Sequence, residues 1–212
     1  MDVSEVRRDY SRAALDERDL APDPITQVRA WLAEALAADP ADPTAMTLAT
    51  ADQEGRPSAR VVLLKGFDER GFVFFTNYGS RKAQELAANP QAALVFYWPT
   101  FDRQIRAEGN VEKTSRAETE AYFATRPVTS QLSAWASRQS EPIAGRAPLE
   151  QALAAAAKQF EGAKVPAPDF WGGYRLNPTW VEFWQGRKSR LHDRIAYRRK
   201  ADGAWAIERL QP

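Results

Sequence analysis

The chain has 212 residues, 44% of them hydrophobic, and its 29 Lys and Arg against 28 Asp and Glu leave a net charge of +1. A chain of this length buries about 70% of its unfolded surface in one core, and so small a charge excludes an overall field that draws a protein to nucleic acid or to an anionic membrane. With no cysteine and a single histidine, His192, disulfides, thiolate catalysis and cysteine- or histidine-rich metal sites are excluded.

The N-terminus, MDVSEVRRDYS, is charged from its start, and no apolar run approaches the roughly 20 residues that span a bilayer, so a cytoplasmic protein with no membrane partner and no metal is expected. Residues 1–22 read as a polar arm with at most one short helix, and 23–212 as a single domain. Asp23 caps a helix with Pro24 at its first position, and Ile25, Val28, Leu32, Ala35 and Leu36 follow at helical spacing. That helix should stop near Asp39 and Pro40. From Ala45 the character changes: AMTLAT, SARVVLLK and GFVFFTN are β-rich runs separated by the turn-bearing QEGRP and FDER, an antiparallel meander. Ser80 to Ala88 reads as a short helix ended by Asn89 and Pro90, and QAALVFYW and RQIRAEGNVEK read as two more strands. Ser115 and Glu118 form a capping box opening a helix to about Arg126, where Pro127 breaks it. An alanine-rich helix covers roughly 148–162, and WVEFWQ, RLHDRIAYRR and AWAIERL are strands with turns at GRKS and KADG. Five to seven antiparallel strands with a few helices imply an α+β fold built on a small barrel or strongly curled sheet. Neither GxGxxG nor GxxxxGK[ST] occurs, which removes the Rossmann and phosphate-loop readings.

Four features carry chemistry. In NYGSRK, Asn77 to Lys82, Ser80 is a natural N-cap that puts Arg81 and Lys82 in the first helical turn. Cations there oppose the helix dipole at roughly 0.3 to 1 kcal/mol each unless an anion joins them; a solvated surface turn is the alternative. Arg60 and Lys65 bracket VVLL, and on a regular strand their odd separation sends them to opposite faces; two anion contacts or a snorkelling lysine both account for that. Tyr122 and Arg126 are four apart at a helix end, with Ser130 beyond Pro127, a donor set suited to phosphate or ordinary surface decoration. Arg190, His192 and Arg194 alternate along the strand RLHDRIAYRR and so share a face, with Asp193 pointing away from His192. A triad is therefore disfavoured, and no GxSxG elbow exists.

VEFWQGRKSRLHDR, Val181 to Arg194, closely resembles the signature of the pyridoxamine 5'-phosphate oxidase family: an acidic residue and aromatics, variable positions, then Arg-x-His-x-Arg. RVVLLK, FFTNYGSRK, DRQIRAEG, YFATRPVTSQLSAWASRQS and FWGGYR resemble family segments in family order, so the likeness runs from about Arg7 to Pro212. It implies a split β-barrel homodimer with flavin mononucleotide (FMN) in two clefts at the subunit interface. Arg60, Arg81, Lys82, Gln104, Gln139, Ser140, Trp184 and Arg194 would contact FMN, and Val61, Val62, Leu63 and Leu64 with Phe75 and Thr76 would line its ring. Lys65, Tyr122, Arg126 and Ser130 would hold the substrate phosphate, with Arg190, Leu191 and His192 near the reacting end, Arg190 and His192 being the catalytic pair. Arg7 and Tyr10 would come from a mobile arm acting as a lid. The reaction implied is oxidation of pyridoxine 5'-phosphate or pyridoxamine 5'-phosphate to pyridoxal 5'-phosphate by dioxygen (O2), with release of hydrogen peroxide and, from the amine, ammonia.

Two other classes share parts of this pattern. A flavin reductase or deazaflavin enzyme on the same barrel needs the flavin cleft but not the second anion set of Lys65, Tyr122, Arg126 and Ser130. A non-catalytic module storing flavin or pyridoxal phosphate would release no peroxide. The balanced charge argues against nucleic acid as a partner.

Overall fold

The computed structural model describes residues 1–5, 9–10, 12–38 and 42–212 of the chain. Helix α1, Pro24–Ala38, begins as its sequence requires: Asp23 accepts the Thr26 amide at 2.9 Å and the Thr26 hydroxyl at 2.7 Å. Its apolar stripe of Ile25, Val28, Trp31, Leu32 and Ala35 is buried, with the Trp31 ring edge-on to Phe183 at 5.1 Å. Each of the larger of these side chains contributes about 1.5 to 3 kcal/mol of transfer energy. The stop expected at Asp39 and Pro40 lies outside the described residues.

Nine strands follow among the described residues, more than the five to seven expected: β1 Ala45–Ala51, β2 Pro57–Leu63, β3 Gly66–Asp68, β4 Gly71–Asn77, β5 Gln91–Trp98, β6 Arg103–Lys113, β7 Trp171–Gln185, β8 Asp193–Arg199 and β9 Trp205–Arg209. All pair antiparallel in the order β2-β1-β5-β6-β7-β4-β3, with β8 on β7 and β9 on β8. The branching comes from the length of β7. Its first half, 171–176, pairs with β4, its second half, 180–185, pairs with β8, and most of its length also pairs with β6.

At the far end, the Leu64 amide donates to Thr44 O at 2.9 Å and the Lys65 amide to Val73 O at 2.8 Å. One sheet edge is thereby stitched to the other, and the sheet curls into an α+β split barrel. Met46, Leu48, Phe72, Phe74, Leu94, Phe96, Ile105, Leu176, Phe183 and Tyr197 fill it from inside, closed off by α1. Asn177 and Pro178 interrupt the middle of β7, where the β6 register shifts at Glu108 and Gly109. A Cβ at Gly109 would lie 2.0 Å from Asn177 O, so only glycine allows this bulge, and the bulge is what admits a proline.

The other helices are α2 Arg81–Ala88, α3 Arg116–Thr125, α4 Val128–Ala136 and α5 Arg146–Gln159. The capping box at the start of α3 is complete, with Ser115 and Glu118 each satisfying the other's backbone amide. Helix α4 corrects the simple break expected at Pro127, which occupies the N-cap position of a new helix. The FDER turn is shorter than expected, because Phe67 and Asp68 belong to β3. Helix α5 runs from 146 to 159 rather than from about 148 to 162 and packs on α4.

Candidate active site

A cleft of about 990 Å³ opens between the outer face of β2, the end of β4, the start of α2 and the α3–α4 corner. Five cations line it, Arg60, Lys65, Arg81, Lys82 and Arg126, and among the described residues no carboxylate does. In a chain of net charge +1, this is the local clustering that an anion site requires.

At one end Arg60 donates to the Thr50 hydroxyl at 2.5 Å, to the Ser58 hydroxyl, and to Glu85 at 3.2 Å. Arg81 reaches the other oxygen of Glu85 at 2.8 Å. Burial by itself would raise the Glu85 carboxyl, but hydrogen bonds from Ser58, Thr50, Arg81 and Arg60 hold it at about 2. Glu85 thus stands behind the cleft wall and aims two guanidinium groups. The sequence reading passed over it, although its place four residues after Arg81 on one helix face was a usable signal. Lys82 donates to Thr76 Oγ1 at 3.1 Å and to Gln139 Oε1 at 2.9 Å. Burial and the charge of Arg60 push its ammonium below the ordinary value, against a weaker pull from Glu85. The Arg81 amide at the head of α2 donates to Ser140 Oγ at 3.1 Å, whereas Ser80 takes the N-cap position without a side-chain cap bond. Three cations over one carboxylate leave this end short of negative charge.

At the other end, Arg126 is the C-cap of α3 and lies over two rings, Trp171 at 4.7 Å and Phe123 at 5.4 Å. Its NH1 is the one buried side-chain polar atom without a hydrogen-bond partner among the described residues, and burial pushes the guanidinium below its ordinary value. Trp171, Phe75 and Tyr122 stack nearly parallel, with Phe75 and Tyr122 4.0 Å apart. Lys65 and Ser130 complete this wall, Ser130 being delivered by α4.

Two expectations are corrected here. Lys65 lies beyond the end of β2, so strand parity does not apply, and it lines the same cleft as Arg60. Val61, Val62 and Leu63 line the cleft, but the Leu64 side chain is buried in the core behind it.

The remaining expected residues that are described, Tyr10, Gln104, Trp184, Arg190, Leu191, His192 and Arg194, do not line the cleft. Gln104, Trp184 and Arg194 are register partners across β6, β7 and β8. Buried Glu182 holds Arg194 Nε at 2.5 Å. The sharing of one strand face by Arg190, His192 and Arg194 is also corrected: β8 starts only at Asp193, and 188–190 is a tight turn with Ser189 and Arg190 at φ 56° and 61°. Two successive non-glycine residues in the left-handed region are costly, and they reverse the chain direction ahead of the strand. His192 packs on Trp184 at 4.7 Å and on Tyr10 at 5.4 Å. Its Nδ1 accepts the Arg187 amide at 3.1 Å, which assigns the proton of the neutral ring to Nε2. Burial and the charge of Arg190 lower the imidazole below its ordinary value, partly offset by Asp193. Leu191 is exposed, and Arg7 lies outside the described residues.

Residues 32–160 match the family model described as pyridoxamine 5'-phosphate oxidase, and residues 171–212 match the pyridoxine 5'-phosphate oxidase C-terminal dimerisation region. The pyridoxine/pyridoxamine 5'-phosphate oxidase of Rubrobacter xylanophilus is 58% identical over 211 residues, 100% of this chain and 97% of that one. Its counterpart from Cupriavidus metallidurans is 57% identical over 210 residues, 99% of each chain. Among solved structures, PhzG from Burkholderia lata, in complex with tetrahydrophenazine-1-carboxylic acid, has a TM-score of 0.86 at 34% identity over 92% of this chain and 95% of that one. A pyridoxamine 5'-phosphate oxidase-related, FMN-binding protein from Nostoc punctiforme shares the fold, with a TM-score of 0.71 at 20% identity over 91% and 100% of the two chains.

Proposed function

Because the chain belongs to the pyridoxamine 5'-phosphate oxidase family, we propose that it is an FMN-dependent oxidase, converting pyridoxine 5'-phosphate or pyridoxamine 5'-phosphate to pyridoxal 5'-phosphate with O2. The observation that carries this reading is a single cleft with cations at both ends and no carboxylate lining among the described residues, a container for two anions. A flavin reductase has no use for the second end, and peroxide release separates an oxidase from a storage module.

The donor set fits FMN. Arg60, Arg81 and Lys82, with the Gln139 and Ser140 side chains and the first amides of α2, would hold its phosphate. Val61, Val62, Leu63, Phe75 and Thr76 would flank its ring, while Leu64 supports that strand from the core. Gln104, Trp184 and Arg194 of one chain lie outside its own cleft, so they serve the site only if a second copy supplies them. A homodimer with both sites at the interface follows, in line with the C-terminal dimerisation region. Bound FMN supplies a two-electron acceptor that O2 can restore.

The protein's part is binding and orientation. Arg126, desolvated and lacking one partner, gives a charge-assisted bond to the substrate phosphate, joined by Lys65, Tyr122 and Ser130. Arg190 and His192 also lie outside their own cleft and would come with Arg194 from the second copy, Arg190 positioning the vitamer ring and neutral His192 offering an Nε2 proton to one of its polar substituents. The alcohol gives up a hydride from its 4' carbon and a proton from its hydroxyl and becomes the aldehyde; the amine gives up a hydride from that carbon and a proton from its nitrogen and becomes an imine that water hydrolyses to aldehyde and ammonia. O2 takes up the two electrons and two protons and leaves as hydrogen peroxide. The test is the absorption spectrum of purified protein, identification of the released cofactor, and peroxide release with pyridoxine 5'-phosphate against unphosphorylated pyridoxine. A colourless monomer that takes up no FMN, or equal use of the two vitamers, overturns the reading.

A further inference from the structure

The segment ahead of α1 is fastened to the last strands by side chains that the chemistry above does not use. Asp193, at the head of β8, accepts the Leu15 amide at 3.0 Å on one oxygen and Arg209 NH1 at 2.9 Å on the other. Arg209 grips both oxygens of Glu17, each at 2.7 Å, and donates to Leu15 O at 3.2 Å. Arg187 lies 3.5 Å from Asp193 and donates to Ala13 O at 3.4 Å. The Leu15 side chain is buried in the core. Upstream of this latch the Tyr10 ring sits edge-on to Trp184 at 5.6 Å and to His192 at 5.4 Å. It occupies space that exists only because residue 186 is glycine, where a Cβ would come within 2.7 Å of the tyrosine ring.

Isolated surface ion pairs contribute little, but these share one guanidinium, bind backbone on both sides of Leu15 and converge on the residue after His192. The 187–193 turn therefore carries both the arm's anchors and the amide that fixes the His192 ring. We propose that Asp193, with Arg209 and Glu17, is a positioning latch: by seating the arm it packs Tyr10 against His192 and Trp184 and holds the histidine in the orientation that presents Nε2. The consequence for turnover rests on the oxidase reading; the consequence for the arm and for His192 does not.

The test uses full-length, FMN-loaded protein carrying Asp193→Asn or the milder Glu17→Gln, whose partly exposed site makes misfolding a small concern. Amide hydrogen exchange around Leu15 should be at least about fivefold faster in both variants. The chain has one histidine, so the imidazole NMR signals belong to His192, and Glu17→Gln should shift them although Glu17 pairs with Arg209 and not with the ring. With pyridoxine 5'-phosphate, kcat/KM should fall about tenfold at unchanged FMN affinity, and Glu17→Asp should recover most of it. In a Tyr10→Ala background Asp193→Asn should cost less than about twofold, because the two act through one contact. Fully additive losses, unshifted His192 signals, or unchanged exchange at Leu15 would each overturn the latch. A native protein that binds FMN but does not oxidise the vitamer would sink the oxidase reading instead, leaving exchange and the His192 signals to decide the latch.

Discussion

The guanidinium of Arg126 stands 4.7 Å from the centroid of the Trp171 ring, and its NH1 is buried without a hydrogen-bond partner. A cation held this way is partly desolvated and oriented, so a phosphate arriving at it meets a reduced desolvation cost. At about 1.5 to 3 kcal/mol for a charge-assisted bond, Arg126→Ala or Lys65→Ala should lower kcat/KM for pyridoxine 5'-phosphate by about ten- to a hundredfold while FMN stays bound. Trp171→Leu keeps the cation but removes its platform, and should raise KM by about tenfold with a smaller change in kcat. Steady-state kinetics with flavin content measured on each variant checks both.

Glu85 gathers Arg60, Arg81, Thr50 and Ser58 around one buried carboxylate. Its folded pKa is depressed from 4.5 to about 2. It therefore contributes stability that is complete above about pH 4.5 and is lost as pH falls through about 2, on the order of 3 kcal/mol in all. Glu85→Gln should unfold earlier than the native chain in neutral denaturant titrations, and the gap should close steadily as pH is lowered from 5 to 2.

Lys82 begins with an ammonium that burial and Arg60 have made easier to deprotonate. A phosphate beside it favours the charged form, so FMN binding should take up a proton at alkaline pH. The FMN dissociation constant should then rise with pH below the ordinary lysine value of 10.5. Fluorescence titration of apoprotein across pH 7 to 10 measures this, and in Lys82→Met the pH dependence should flatten while affinity falls at neutral pH.

Arg194 is tied by Glu182 to a face that does not line its own cleft. If a second copy completes each site, Arg194→Ala and Lys82→Ala homodimers should both bind FMN weakly, yet subunits mixed and refolded together should recover it. A hybrid holds one cleft with both native halves and one with neither, so a statistical mixture should regain about a quarter of native flavin content. No recovery on mixing would place Arg194 in its own subunit's site. Arg190→Ala and His192→Ala should instead keep FMN and lose its reduction by substrate in anaerobic single-turnover measurements.

What the sequence determined by itself was whatever depends on neighbours along the chain. Asp23 with Pro24, and Ser115 with Glu118, opened helices where local hydrogen bonds require them, and short β-rich runs bounded by turn residues marked β1, β2, β4, β5 and β6. Family likeness added roles for side chains whose spacing alone left a surface turn or a snorkelling lysine open. Only the tertiary structure decided the rest. The first half of β7 was illegible because Gly172 and Gly173 have little strand preference of their own: pairing with β4 makes them strand residues, and Tyr78, Thr114 and Phe75 stand where a Cβ would be. Glu85 looked like one more helix-surface acid until β1 and β2 brought Thr50, Ser58 and Arg60 onto it. Lys65 and Arg60 share a cleft because the chain leaves β2 before parity can separate them, and His192 faces Tyr10 because a left-handed turn, not a strand, precedes Asp193. These are long-range packing outcomes, in which distant segments compete for the same space and charge, and no window of local sequence contains both competitors.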